Sequence, residues 1–312
     1  MFPGQGSQQI GMGRELAEAY PAARSVFEEV DEALGQNLSG LMWEGEADEL
    51  QLTANAQPAL MAVSLAAVRA LEAEGVDLAR DVAFVAGHSL GEYSALAAAG
   101  TFSVAEAARL LRIRGDAMQV AVPVGEGAMA AIIGLEEDAV ETACREAAHD
   151  GLECQIANDN GGGQLVISGA KPAVERAMEA AKEAGAKRAL PLPVSAPFHS
   201  KLMQPAAERM AEALGASSLA DPKVTLVANV TAAPVSDAGE IERLLVEQVT
   251  GRVRWRESVA RQASEGVDLA VEVGAGKVLS GLVRRIERSI DTMTCGTPDE
   301  VRAVAGKLGE IA

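Results

Sequence analysis

Aromatic residues, histidines and cysteines are all scarce in this chain of 312 residues. Phe, Trp and Tyr make up only 3% of it, which argues against a surface that stacks nucleic-acid bases. The three cysteines, Cys144, Cys154 and Cys295, are odd in number and lack CxxC spacing. We therefore expect reduced, structural thiols in a cytoplasmic protein, and no metal site.

Positive charge and long apolar runs are also in short supply. Lys and Arg number 27 against 45 Asp and Glu, which gives a net charge of −18 at pH 7. Such an acidic chain is a poor ligand for nucleic acid or an anionic membrane, so we expect neither as a partner. No apolar stretch approaches the roughly 18 residues of a membrane span, and no signal segment is visible. Hydrophobic residues make up 48%, enough for a substantial core in one or two domains.

The middle of the chain has a different rhythm from its two ends. There, strands at 127–134, 152–157, 164–168 and 187–194 are interleaved with helices at 136–151 and 171–185. This βαββαβ order is typical of a ferredoxin-like unit. We therefore predict an α/β protein with a discontinuous α/β-hydrolase-like domain, formed by 1–124 and 196–312 around a parallel sheet. A ferredoxin-like subdomain, 125–195, is inserted into it.

Outside the middle, periodicity predicts helices and short strands in alternation. The helices are at 12–34, 56–74, 89–99, 104–121, 239–250, 254–265 and 277–289, and the strands are at 82–88, 224–230 and 269–274.

The stretch Gly87-His88-Ser89-Leu90-Gly91 matches G-x-S-x-G between a predicted strand and a predicted helix. Its glycines permit a sharp turn that exposes the Ser89 hydroxyl at a helix N-terminus, where free N–H groups stabilise negative charge. The alternatives are a chance match or a helix-capping serine. Because both flanking elements are present, we interpret Ser89 as a nucleophile.

A serine nucleophile needs a base, and the chain has three histidines. His149 lies near the end of a charged helix, where a solvated imidazole is the ordinary explanation. His88 adjoins Ser89 and points to the opposite face of its strand, so it supports the turn. His199, in VSAPFHSKLM, is the base by elimination. No obvious aspartate completes a triad, so an amide or a main-chain carbonyl is expected to orient it.

Arg114 lies in the apolar arc of helix 104–121, among residues such as Leu110, Leu111 and Met118. A guanidinium there must find a partner, because an unpaired buried charge is costly. One reading is a structural ion pair. The other is a substrate carboxylate bound by the guanidinium fork, which would make the substrates acyl groups with a free acid end.

Four motifs, FPGQGSQ, GHSLGEYSAL, RGDAMQ and APFHS, together resemble the malonyl-CoA:acyl carrier protein transacylases of fatty acid synthesis, which are related to polyketide synthase acyltransferase domains. The resemblance runs nearly end to end. It implies ping-pong transfer of malonyl from malonyl-CoA to the phosphopantetheine thiol of acyl carrier protein, no further cofactor, and a monomer. One departure is that only Met1 precedes FPGQGSQ, where the family has several residues of a first strand.

The resemblance also implies roles for individual residues. Ser89 matches the acylated nucleophile, His199 the base and Arg114 the residue that pairs with the malonyl carboxylate. Gln248, in LLVEQVTG, matches the amide residue whose carbonyl holds the second imidazole nitrogen. Phe198 resembles the residue of malonyl-selecting members.

The segment Gly4-Gln5-Gly6 lacks the G-x-G-x-x-G spacing of a dinucleotide loop. Its nearer analogue is the loop that supplies an oxyanion-hole N–H in lipases, so we expect the N–H groups of Gln5 and Leu90 to hold the oxyanion. Asn158 and Asn160 flank a glycine-rich turn. We predict Asn160 to be a substrate-binding residue of the cleft, although turn formation explains both asparagines equally well.

Three other functions compete with this hypothesis. A serine esterase or thioesterase acting on an acidic acyl substrate would share the serine turn. A scaffold that binds carrier protein without activity would not need Ser89, His199 and Arg114. Nucleotide binding is suggested by GAGKVLS at 274–280, but the P-loop pattern is not met.

Overall fold

The computed structural model describes residues 1–194 and 196–311, so the predicted domain bounds at Ser195 and Ala312 lie outside it. The described chain is a mixed α/β protein with small sheets. Among these residues, no helix has both the length and the apolar character needed to cross a membrane.

The first part of the chain is mostly helical. It contains α1 (Arg14–Ala19), α2 (Pro21–Leu34), α3 (Leu38–Glu44), α4 (Ala47–Gln51), α5 (Thr53–Ala73), α6 (Leu78–Asp81), β1 (Phe84–Val85), α7 (Leu90–Ala98) and α8 (Val104–Val120). The single helix predicted at 12–34 is wrong. It is broken at Tyr20, because Pro21 begins a new helix and has no N–H to continue the first. The short helices α3, α4 and α6 were not predicted.

The middle of the chain forms an antiparallel sheet covered by helices. Its elements are β2 (Gly127–Ile133), α9 (Glu137–Ala147), β3 (Cys154–Asp159), β4 (Gln164–Ala170), α10 (Lys171–Glu183) and β5 (Arg188–Pro191). The strand order is β3-β4-β2-β5. A hydrophobic cluster that includes Ile132, Val140, Ile167 and Val174 lies between this sheet and its two helices.

The last part returns to alternating helices and short strands. It contains a 3₁₀ turn (Lys201–Met203), α11 (Gln204–Gly215), β6 (Thr225–Val227), β7 (Pro234–Val235), α12 (Ala238–Thr250), α13 (Trp255–Ser264), β8 (Leu269–Val273), α14 (Val278–Ile286), β9 (Asp291–Cys295) and α15 (Pro298–Ile311). β1 pairs in parallel with β6, and β8 with β9, whereas β7 is antiparallel to β6. Strands β7 and β9 and helices α11 and α15 were not among the predicted elements.

Met1 and Phe2 connect the two parallel pairs through main-chain hydrogen bonds. The α-amino group of Met1 donates to the carbonyl of Val271 in β8 at 2.7 Å. The N–H of Phe2 donates to the carbonyl of Ala86 at 2.9 Å, and the N–H of His88 donates to that of Phe2 at 3.0 Å. The FPGQGSQ loop is therefore placed beside the serine turn by the sheet itself.

Backbone segments approach very closely where that loop meets α7. A Cβ added at Gly91 would lie 2.3 Å from the carbonyl oxygen of Phe2. No side chain fits there without moving one of the two segments. Gly281, which is also inside a helix, has nothing within 4 Å of its added Cβ.

Two alanine substitutions test this contact, with opposite expected signs. Gly91→Ala should lower the free energy of unfolding by more than about 2 kcal/mol, because its methyl group collides with backbone. Gly281→Ala should raise it by about 0.5–1 kcal/mol, since alanine favours a helix where space is open. Urea unfolding measures both values, and a neutral or stabilising Gly91→Ala would contradict the close approach.

Candidate active site

Ser89 lies at the turn between β1 and α7 with φ 54° and ψ −113°. A positive φ is strained for a residue other than glycine and persists only where the surroundings hold it. Asn229 provides that support: its Oδ1 accepts the Ser89 N–H at 2.8 Å, and its Nδ2 donates to the Gly87 carbonyl at 2.7 Å. The strand-turn-helix context predicted for G-x-S-x-G is thus present, and the hydroxyl projects from the turn.

His199 lies against that hydroxyl. The Ser89 Oγ is 2.7 Å from His199 Nε2, while His199 Nδ1 is 2.9 Å from the main-chain oxygen of Gln248 and 3.2 Å from that of Gly251. Carbonyl oxygens only accept, so Nδ1 carries the hydrogen and Nε2 accepts from the serine. The main-chain carbonyl of the predicted Gln248 therefore accepts the Nδ1 hydrogen, and its role in orienting the imidazole stays a prediction.

Burial, with a smaller contribution from the positive charge of Arg114, lowers the pKa of His199 to about 3. The imidazole is consequently neutral near pH 7 and can accept a proton. His199 is itself strained, with φ 56°. Gln155 helps to hold it, since its Nε2 donates to the His199 carbonyl at 3.2 Å.

Arg114 is 2% exposed, as its place in the apolar arc predicted. Its Nη1 donates to Gln57 Oε1 at 2.7 Å, and its Nη2 donates to Gln248 Oε1 at 2.9 Å and to Ser89 Oγ at 3.1 Å. The Tyr93 ring lies beneath, 5.7 Å from the guanidinium carbon. Within the described residues these hydrogen-bond partners are neutral, so the structural ion pair considered from the sequence is not formed.

The predicted oxyanion donors lie at the same cavity as Ser89. Neither the N–H of Gln5 nor that of Leu90 donates to an acceptor in the part of the chain that the structure describes. The Gln5 side chain is anchored by Thr53, whose Oγ1 donates to Gln5 Oε1 at 2.9 Å. Both N–H groups are therefore available to an anion, and their role stays a prediction.

The cavity has a volume of about 410 Å³. Its lining includes Gln5, Gln57, Ser89, Leu90, Arg114, Met118, Asn158, Phe198 and His199. A second cavity, of about 260 Å³, is lined by residues of β1 and β8 together with Met1 and Phe2.

Asn160, predicted to bind substrate, has its Oδ1 2.9 Å from His88 Nε2, and its substrate-binding role stays a prediction. Asn158, the other asparagine of the turn, lines the cavity. The ring of His88 lies against Trp255, and its support of the serine turn stays a prediction. His149 is exposed and pairs with Asp150.

In the GAGKVLS segment, the N–H groups of Leu279 and Ser280 already have an acceptor. The buried carboxylate of Glu272 accepts from the N–H groups of Leu279 and Ser280, at 3.0 and 2.7 Å, and so occupies the N-terminus of α14. Among the described residues, no group of three or more His, Cys, Asp or Glu side chains is arranged to bind a metal ion.

Sequence reasoning missed several residues that hold the site together. Gln57 could have been found, because it is a polar residue in a long helix, α5, whose residues are mostly apolar, and there it is 1% exposed. Glu92 gives the same kind of signal, as a carboxylate in the apolar helix α7, whereas Asn229 carries no local signal. Asn229 contacts Ser89 across 140 positions of the chain, a proximity that only the folded sheet creates.

Comparisons with known proteins agree with this arrangement. The family model for the acyl transferase domain matches residues 1–308. A malonyl CoA-acyl carrier protein transacylase of Bacillus subtilis is 47% identical over 310 residues, which is 99% of this chain and 96% of that protein. The crystal structure of an acyl-carrier-protein-S-malonyltransferase from Bartonella henselae is 60% identical, with a TM-score of 0.97 over 99% of this chain and 98% of that one. A malonyl-transacylase in complex with a type II PKS acyl-carrier protein is 42% identical, with a TM-score of 0.94 and 98% of each chain covered.

The pKa of His199 predicts how a serine-directed reagent should react. With phenylmethanesulfonyl fluoride, the rate of Ser89 modification should stay level from pH 8 to 5.5, because the neutral imidazole persists below that range. A histidine with an ordinary pKa would lose about tenfold over the same interval. Intact-protein mass spectrometry follows the adduct, and a tenfold loss would contradict the lowered pKa.

Proposed function

The chain belongs to the acyl transferase domain family, and on that premise we propose how its residues carry out the reaction. The protein transfers a malonyl group from malonyl-CoA to acyl carrier protein. One observation carries the proposal: Ser89 Oγ lies 2.7 Å from a neutral imidazole nitrogen and 3.1 Å from the Arg114 guanidinium. The nucleophilic oxygen of Ser89 is thus in contact with both a base and a cationic group that can bind a carboxylate.

Transfer begins with acylation of the serine. His199 Nε2 takes the proton of Ser89 as Oγ attacks the thioester carbonyl of malonyl-CoA. The tetrahedral oxyanion is held by the N–H groups of Gln5 and Leu90. Collapse breaks the carbon–sulfur bond, and the proton on His199 passes to the departing CoA sulfur. The phosphopantetheine thiol of acyl carrier protein then attacks the malonyl-serine ester by the same steps in reverse.

Arg114 selects the acyl group. Its hydrogen-bond partners are neutral oxygens, so its charge is available to the free carboxylate of a malonyl group attached to Ser89. Phe198, which lines the cavity, is proposed to limit branching at the acyl chain. Asn160, whose Oδ1 is hydrogen-bonded to His88, is proposed to be a substrate-binding residue. The proposed chemistry needs no cofactor, since CoA enters with the substrate and phosphopantetheine with the partner.

We also propose the finer description of the fold. Residues 125–195 form the ferredoxin-like subdomain, supported by the strand order β3-β4-β2-β5 and by a separate hydrophobic cluster. Residues 1–124 and 196–312 form the hydrolase-like domain, supported by the serine turn between β1 and α7. The buried, unpaired thiols of Cys144, Cys154 and Cys295 suit a cytoplasmic protein.

Ser89→Ala should abolish the covalent malonyl adduct, because it removes the attacking oxygen. Intact-protein mass spectrometry after mixing with malonyl-CoA measures the adduct, with the unmodified chain as control. A malonyl adduct that survives in Ser89→Ala would refute the assignment. Free malonate released rapidly by the unmodified protein without carrier protein would indicate the esterase alternative.

Arg114→Ala should lower the ratio of malonyl-CoA to acetyl-CoA acylation rates by about 100-fold, because the malonyl carboxylate loses its charged partner. Arg112→Ala is the matched control: Arg112 lies on the same helix but bonds to Gln36 and Asn55 instead. In Arg112→Ala, the ratio of malonyl-CoA to acetyl-CoA acylation rates should match that of the unmodified protein. An unchanged ratio in Arg114→Ala would show that Arg114 does not bind the carboxylate.

A further inference from the structure

Glu92 is a buried carboxylate that the transfer steps above leave unused. It lies on α7, in the turn after Ser89, and is 1% exposed. Its Oε1 accepts the main-chain N–H of Asn229 at 3.2 Å, and its Oε2 accepts from Gln248 Nε2 at 2.6 Å. Burying a carboxylate against neutral donors is unfavourable, so its place in the network calls for an explanation.

Both partners of Glu92 also hold Ser89. Asn229 accepts the Ser89 N–H, and Gln248 Nε2 donates to the Ser89 carbonyl at 2.9 Å. Glu92 therefore joins the loop after β6 and helix α12 to the strained serine turn.

The orientation of the Gln248 side-chain amide follows from its neighbours. Glu92 and the Ser89 carbonyl only accept, so both attract the NH₂ group, and the Oε1 is left facing Arg114, which only donates. A carboxylate at position 92 thus turns an amide oxygen toward the guanidinium. Arg114 is held in place while its charge is left without a directly bonded carboxylate.

We propose that Glu92 is a positioning residue that sets the Gln248 amide, and through it holds the Arg114 guanidinium ready for the substrate carboxylate. This inference rests on the proposed role of Arg114. The carboxylate-binding role of Arg114 and the chemistry of Ser89 do not themselves require Glu92. An experiment can therefore refute the role of Glu92 without refuting the proposed function.

Burial raises the pKa of the Glu92 carboxyl to about 7. The charged group that acts on it is Arg114, from α8, while α12 and the loop after β6 present the neutral groups of Gln248 and Asn229. The ionised carboxylate prevails above pH 7 and gives way to a carboxyl that can donate as pH falls. Malonyl preference should therefore be complete at high pH and decline through pH 7.

Glu92→Gln tests the proposal with little change in shape. In this variant the main-chain N–H of Asn229 needs an acceptor, so the oxygen of the new amide at position 92 faces Asn229 and its NH₂ group faces Gln248. The Gln248 amide would then turn its oxygen toward position 92 and its NH₂ group toward Arg114, which places two hydrogen-bond donors against each other. The ratio of malonyl-CoA to acetyl-CoA acylation rates should fall by about tenfold or more, with the acetyl rate changed less than about threefold. Glu92→Asp keeps an acceptor-only group and should recover part of the ratio.

Ser94→Ala is the matched control. Its hydroxyl is buried on the same helix, where no described atom bonds to it, so the ratio should stay as in the unmodified protein. Equal losses for both acyl donors in Glu92→Gln, or an unchanged ratio, would overturn the proposal.

A second experiment uses only the unmodified protein, so it does not depend on whether a variant folds. Its malonyl-to-acetyl ratio, measured from pH 8.5 to 6, should fall with a midpoint of about 7, and both donors carry the same CoA, whose titration cancels. A ratio independent of pH in that range would overturn the proposal.

If Arg114→Ala lowers the ratio and Glu92→Gln does not, only the role of Glu92 fails. If Arg114→Ala has no effect on the ratio, the proposed binding of the malonyl carboxylate by Arg114 is refuted, and the role of Glu92 that rests on it is refuted as well.

Discussion

Burial of the Arg114 guanidinium among neutral oxygens is the constraint around which the site is arranged. The charge is oriented by Gln57 and Gln248 and touches the nucleophile's oxygen. A directly bonded carboxylate would lower the cost of burial but would also satisfy the charge. Amide oxygens hold the guanidinium without neutralising it, so an acidic acyl group can supply the missing negative charge.

The same arrangement explains why the base has no aspartate. A carboxylate beside His199 would lie close to Arg114 and compete for it. Main-chain oxygens of Gln248 and Gly251 orient the imidazole instead, and burial keeps it neutral. Gln248 serves both functions, with its main chain toward the histidine and its side chain toward the arginine.

The chemistry of the site could be predicted from sequence wherever it depends on local pattern. Ser89 followed from a strand, a turn and a helix in succession, Arg114 from helical periodicity, and His199 from the scarcity of histidines. The contacts of Asn229 and Glu92 could not be predicted, because they join segments that are far apart in the chain. The same limit applies to the fold: two-residue strands such as β1 are defined by pairing rather than by periodicity.

The most direct test is a crystal structure of the malonyl-enzyme trapped before carrier protein is added. The malonyl group should be esterified to Ser89, with its free carboxylate within hydrogen-bond distance of the Arg114 guanidinium and its ester carbonyl oxygen directed at the N–H groups of Gln5 and Leu90. A malonyl carboxylate that points into solvent, with Arg114 still bonded only to the glutamine side chains and Ser89 Oγ, would contradict this account.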